Sequence, residues 1–167
     1  VGQQPDNGAG VGHLWCVDIT RTGDLSEELE KGKRNSNSGL VWHFGGPTPK
    51  GSARDWVFGR SISGFAVHDG LLYTADLEGF LYCLEAKTGK QLWQDDLKAN
   101  VWASPLWVDG KVYLADDSGN VTIFEHGKEK KSVNKVDMDD GVKATPVVAN
   151  GVLYIATPKR LFAITAK

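Results

Sequence analysis

Imidazole is the commonest protein metal ligand and a ready general base near neutral pH. The chain has His13, His43, His68 and His126, at no spacing that a metal motif would produce. His13 and His68 fall beside stretches that read as strands, so a structural or surface role is expected for them. The pairs Asp95-Asp96, Asp116-Asp117 and Asp139-Asp140 could do acid–base work if they faced each other across a cleft. They sit in or near turns and do not all recur at one point of the repeat described below, so solvated turn residues are the expectation. Lys128-Glu129-Lys130-Lys131 reads as an exposed hairpin tip rather than a nucleic-acid site. Asn120-Val121-Thr122 fits the glycosylation triplet but lies in a predicted strand.

These residues are carried by a repeat. Gly70-Leu71-Leu72-Tyr73, Gly110-Lys111-Val112-Tyr113 and Gly151-Val152-Leu153-Tyr154 place their tyrosines 40 and 41 residues apart. Leu81-Tyr82-Cys83-Leu84, Val121-Thr122-Ile123-Phe124 and Leu161-Phe162-Ala163-Ile164 follow in the same order. Ser104-Pro105-Leu106 and Thr145-Pro146-Val147 precede them, with a weaker copy at Ser63-Gly64-Phe65. Each phrase is rich in β-branched and aromatic residues and bounded by turn residues, so each reads as a strand. Asp69-Gly70, Asp109-Gly110 and Asn150-Gly151 predict type I′ hairpin turns. Leu77-Glu78-Gly79 and Asp117-Ser118-Gly119 predict the next tight turn.

Four strands in about 40 residues is the length of a propeller blade. The fold expected is all-β, a β-propeller of four-stranded antiparallel blades, with about three blades and a part, or roughly thirteen strands. Residues 1–44 would form an incomplete first blade with a polar insertion at 24–39, and 45–60 an irregular loop. Residues 61–100 and 101–141 would each form a blade, and 142–167 an incomplete last one. One short helix or turn is expected from Leu25 to Lys33, with Ser26 as its cap. Cys16 and Cys83 fall at the same place in two repeats, too far apart for a disulfide, so two buried free thiols are expected.

Composition agrees. The 167 residues are 41% hydrophobic and 24% charged, the balance of a globular protein. Nineteen Lys and Arg against 21 Asp and Glu leave a net charge of −2, which argues against a nucleic-acid partner. No apolar run reaches the length of about eighteen residues that spans a bilayer. The chain begins at Val1 without a charged leader or an apolar signal core. With fewer than the roughly four to eight blades of a closed propeller, it is expected to be the C-terminal part of a longer protein.

The segment Cys83-Leu84-Glu85-Ala86-Lys87-Thr88-Gly89-Lys90-Gln91-Leu92-Trp93 resembles the tryptophan-docking repeat of the pyrroloquinoline quinone (PQQ)-like β-propellers. Glu85 takes the acid place, Thr88-Gly89 the turn, and Trp93 the docking ring. Asp18, Thr22-Gly23 and Trp42 form a stretched copy, while the unit at Phe124 to Lys128 lacks the tryptophan. The opening, Gly2 through Cys16, is similar to a segment of planctomycete-type secreted members of this family.

The resemblance implies a periplasmic, cell-envelope or secreted protein. Its favoured role is a non-catalytic binding or scaffold propeller that meets a protein partner or small ligand through its loops. No cofactor is expected in this segment, which has no adjacent cysteine pair and no haem-attachment motif. The alternative is the C-terminal part of a PQQ-dependent alcohol or sugar dehydrogenase, which would use PQQ and Ca²⁺. Under it, Arg60, Trp102 and Lys143, just before the predicted innermost strands, are candidates to line the central funnel. Their cations would meet quinone carboxylates.

Overall fold

The computed structural model describes residues 2, 3, 10–30 and 32–165. Residues 4–9 of the opening that resembles secreted relatives lie outside the described residues. The described chain is built of strands, with no helix. A first sheet combines β1 (Gly2–Gln3), β2 (His13–Val17) and β5 (Leu40–Gly45), in that order. A four-stranded sheet follows: β6 (Ala66–His68), β7 (Leu71–Ala75), β8 (Phe80–Glu85) and β9 (Gln91–Asp96). The next is β10 (Leu106–Val108), β11 (Lys111–Ala115), β12 (Asn120–Glu125) and β13 (Ser132–Asp137). The last holds β14 (Val147–Ala149), β15 (Val152–Ala156) and β16 (Leu161–Thr165). All pairings are antiparallel between neighbours, the up-and-down order of propeller blades.

The turns follow from local chemistry. Asp69 and Gly70 have φ of 44° and 74°, Asp109 and Gly110 48° and 68°, and Asn150 and Gly151 51° and 74°. Positive φ at both central residues is the type I′ turn, whose twist matches that of its strands. The ladder shifts register at Cys16/Val17, Cys83/Leu84 and Ile123/Phe124, the same point of three sheets.

Three apolar layers lie between the sheets. Leu14, Trp42 and Phe44 of the first sheet meet Leu72, Tyr82 and Leu84 of the second. Tyr73, Leu81, Cys83 and Trp93 of the second meet Val112, Leu114 and Phe124 of the third. Ala115, Val121 and Met138 of the third meet Ile155 and Phe162 of the last. Both cysteines are free thiols as expected, but only Cys83 is buried; Cys16 is half-buried, beside the first sheet's apolar layer.

The expected helix at Leu25 to Lys33 does not form. Ser26 Oγ instead donates to Asp24 Oδ1 at 2.5 Å. The segment folds as a hairpin of β3 (Glu28–Glu30) and β4 (Lys33–Arg34), with Gly32 at φ 78° in its turn. Glutamates then oppose Lys33 and Arg34 across the pair, a favourable cross-strand match. Buried Asn35 ties this insertion down through Nδ2 donors to Asp24 O and Ser26 O, both 2.9 Å.

Candidate functional site: the inner rim and the inter-sheet docking points

The first strands β6 and β10 approach one another, and the loops that enter β6, β10 and β14 are joined in series. Gly64 N donates to Ser104 Oγ at 2.7 Å, and Ser104 N donates to Thr145 Oγ1 at 2.9 Å. Ser63 Oγ adds a bond to Ala103 O at 2.7 Å. Ala66 pairs with Tyr73, Leu106 with Tyr113 and Val147 with Tyr154, which makes Ala66, Leu106 and Val147 equivalent. Counting back four residues, the equivalent rim residues are Ile62, Trp102 and Lys143. The weak third copy of the rim phrase therefore sits one residue later than the sequence suggested.

Two of the three funnel candidates come together. The Lys143 ammonium lies 5.3 Å from the Trp102 ring centroid, within cation–π range. Trp102 remains 40% exposed and its equivalent Ile62 43%, so this is an accessible surface. Arg60 stands apart, in the place of Asn100 and Gly141. Its amide donates to Gly10 O at 3.0 Å and its carbonyl accepts from Leu77 N at 2.9 Å.

On the outer side, Trp42 and Trp93 each reach the next sheet. Trp42 Nε1 donates to Ala86 O at 3.0 Å, and Trp93 Nε1 donates to Gly127 O at 3.1 Å. Both rings are buried. The receiving turn of the second sheet is locked by its own side chains. Thr88 Oγ1 donates to Glu85 Oε2, Lys90 N donates to Thr88 Oγ1 at 3.2 Å, and Gly89 has φ 71°. The third sheet, which lacks the tryptophan, still offers Gly127 to Trp93.

A cluster that sequence reading missed sits beneath the irregular loop. Arg54 donates to Asp76 Oδ2 at 2.9 Å, to Glu78 Oε2 at 2.6 Å and to Tyr82 Oη at 2.5 Å. Asp76 is fully buried, and its Oδ2 also accepts from Gly59 N at 3.1 Å and Tyr82 Oη at 2.7 Å. Burial works against the Arg54 charge, yet Glu78, Tyr82 and Asp76 hold it firmly protonated. Burial, with Asp76 beside it, pushes the Tyr82 hydroxyl up. The cluster clamps the loop to the second sheet. It had no signal in the repeat, because Arg54 lies in the irregular loop at 45–60, which has no periodic copy.

His68 stacks on Trp107 with ring centroids 3.5 Å apart, and the Tyr73 hydroxyl is 2.9 Å from His126 Nδ1. Asp116, the repeat-mate of Asp76, caps its own turn, accepting on Oδ1 from Ser118 N and Asn120 N at 3.0 Å each. Among the described residues, no three His, Cys, Asp or Glu side chains converge as a metal centre.

The chain is 22% identical over 139 residues to a 1-butanol dehydrogenase (cytochrome c) of Thauera butanivorans, covering 67% of this chain and 19% of that protein. Its fold resembles BamB from Moraxella catarrhalis, with a TM-score of 0.55 and 16% identity over 78% of this chain and 49% of that one. It also resembles a europium-containing methanol dehydrogenase, with a TM-score of 0.51 and 19% identity over 75% of this chain and 21% of that one. The chain thus spans about a fifth of the dehydrogenases and half of BamB. The family model described as outer membrane protein assembly factor BamB matches residues 13–144. With the repeated antiparallel sheets and this match, the chain belongs to the PQQ-like β-propeller repeat family.

Proposed function

We propose that this chain is a non-catalytic binding or scaffold module of the cell envelope or of a secreted protein. It meets a protein partner, or a small ligand, through the loops of its inner rim. The observation that carries this reading is the exposed rim surface. Ile62 (43%), Phe65 (42%), Trp102 (40%) and Val147 (55%) leave apolar area in solvent beside the Lys143 charge. Exposed apolar area of this kind, gathered on loops over a rigid sheet scaffold, is typical of interaction sites. The match to a family described by an assembly factor favours the same reading.

A second reading is favoured by the similarity to the 1-butanol dehydrogenase. Under it, the chain is part of a PQQ-dependent alcohol or sugar dehydrogenase, with PQQ and Ca²⁺ as cofactors. Calcium takes about six to eight oxygen ligands, mostly carboxylates and carbonyls. The described residues gather no three acidic or metal-ligating side chains, so they do not by themselves build that site.

A photo-reactive residue at position 102, irradiated in intact cells, tests the rim. A discrete adduct is expected there and none from the same residue at exposed Lys90, on the outer turn. Equal labelling at both positions would overturn the rim as the binding surface.

A further inference from the structure

The β2–β5 register sets Trp15 opposite His43 and His13 opposite Gly45. His13 and His43 therefore lie diagonally across the strand pair, on the face away from the apolar layer that holds Leu14, Trp42 and Phe44. His13 Nδ1 and His43 Nε2 are 2.8 Å apart, with ring centroids 5.0 Å apart and planes inclined by 25°. The centroid spacing exceeds the nitrogen spacing by about two ring radii, so the rings meet edge to edge, nitrogen to nitrogen. One proton fills that gap; two would repel. Trp15 walls the pair, 5.3 Å from the His13 ring and 5.4 Å from that of His43.

The pair stays accessible when a neighbouring sheet packs on this face. The same register places Phe80 and Gln94 of the second sheet at the positions of His13 and His43. The first sheet packs against that second sheet, yet Gln94 is exposed and Phe80 half-buried. His43 is likewise exposed and His13 half-buried.

The geometry points to a two-imidazole site for a tetragonal divalent cation, Cu²⁺ or Ni²⁺, with His13 Nδ1 and His43 Nε2 as adjacent ligands. Two cis nitrogens at bonds of about 2.0 Å on a square-planar ion stand about 2.8 Å apart. Tetrahedral zinc would require about 3.3 Å. On binding, the donor ring gives up the shared proton and takes one back at its outward nitrogen, a change of tautomer through solvent, and each ring swivels until its lone pair faces the ion. Water fills the remaining positions.

The full chain is titrated with Cu²⁺ and with Ni²⁺ alone, followed by calorimetry, and by electron paramagnetic resonance for copper. One site per chain is expected, with an axial copper signal coupled to two imidazole nitrogens. His13→Phe combined with His43→Gln installs the residues that the second sheet carries at these places, so the fold is expected to hold, as a melting curve will check. That variant should lose at least about tenfold in affinity, whereas His68→Ala, at a histidine far from the pair, should bind as the parent does. Equal affinity in parent and double variant, or a copper signal without two-nitrogen coupling, would overturn the site.

Discussion

Trp42 of the first sheet occupies the space that a side chain on Gly89 of the second would need. A Cβ built on Gly89 would lie 2.6 Å from Trp42 Cδ2 and Cε3, and Gly89 has φ 71°. Gly89 thus serves two needs, a left-handed turn and close approach of a neighbouring ring. Gly70 has φ 74° and open space around it, so it serves only the first. Gly70→Ala is expected to cost about 1–2 kcal/mol from the left-handed backbone alone. Gly89→Ala adds overpacking and is expected to cost about 2–5 kcal/mol. Urea unfolding of both variants checks the difference, and equal losses would contradict the docking contact.

Arg54→Met strands the fully buried Asp76 carboxylate without its cation. Removing one partner of a buried pair costs about 3–5 kcal/mol. Asp76 keeps its donors from Gly59 N and Tyr82 Oη, so the lower end of that range is expected. Adding Asp76→Asn to Arg54→Met should recover part of the loss. A double variant as damaged as the sum of the two single variants would contradict the clamp.

How much of this was legible depended on distance along the chain. The Asp-Gly and Asn-Gly turns are local, and their φ angles follow from residue type alone. Tyr73, Tyr113 and Tyr154 recur at one register, so periodicity reveals the strands that hold them. The roughly thirteen strands expected at blade length become sixteen among the described residues. The added β1, β3 and β4 are short and pair by position rather than by pattern. The Glu-rich stretch after Ser26 carries helix-start chemistry, but Asp24 takes the Ser26 hydroxyl and Gly32 turns the chain back. At the rim, Trp102 and Lys143 were legible as related places in two repeats, and their contact was not. Arg60 fell out of register because Ser63-Gly64-Phe65 lacks the proline that marks the other copies. Arg54 and the His13–His43 pair were hidden because their partners depend on tertiary register, not on spacing.

Burial pushes the Cys83 thiol up to about 11, and Sγ lies 3.8 Å from Gly127 O. The native state therefore favours the protonated thiol. Its contribution to stability is full below the pKa of the unfolded chain, about 8.5. It is lost as pH rises toward about 11. Cys83 is expected to resist a disulfide reagent at pH 8 until the chain unfolds. Cys83→Ala should flatten the alkaline fall in melting temperature between pH 8.5 and 11. Rapid labelling of native Cys83 would contradict the buried placement.

Among the described residues, no further sheet packs on the outward face of the first sheet or of the last. Leu161 is 68% exposed, whereas its repeat-mate Leu81 is 0% exposed. Ile19 is 91% exposed at the place of Ala86, which receives Trp42 in the second sheet. The 167-residue chain is therefore expected to self-associate as its concentration rises. Ile19→Asp with Leu161→Asp should shift it toward monomer in light scattering. A parent chain that stays monomeric and melts sharply at all concentrations would contradict this.

The role proposed for this propeller module is binding without catalysis. Titrating the protein with PQQ and Ca²⁺, while following tryptophan fluorescence and dye reduction with alcohols and sugars, tests it most directly. No saturable quinone binding and no dye reduction are expected. Saturable, PQQ-dependent reduction would contradict it and establish the dehydrogenase reading instead.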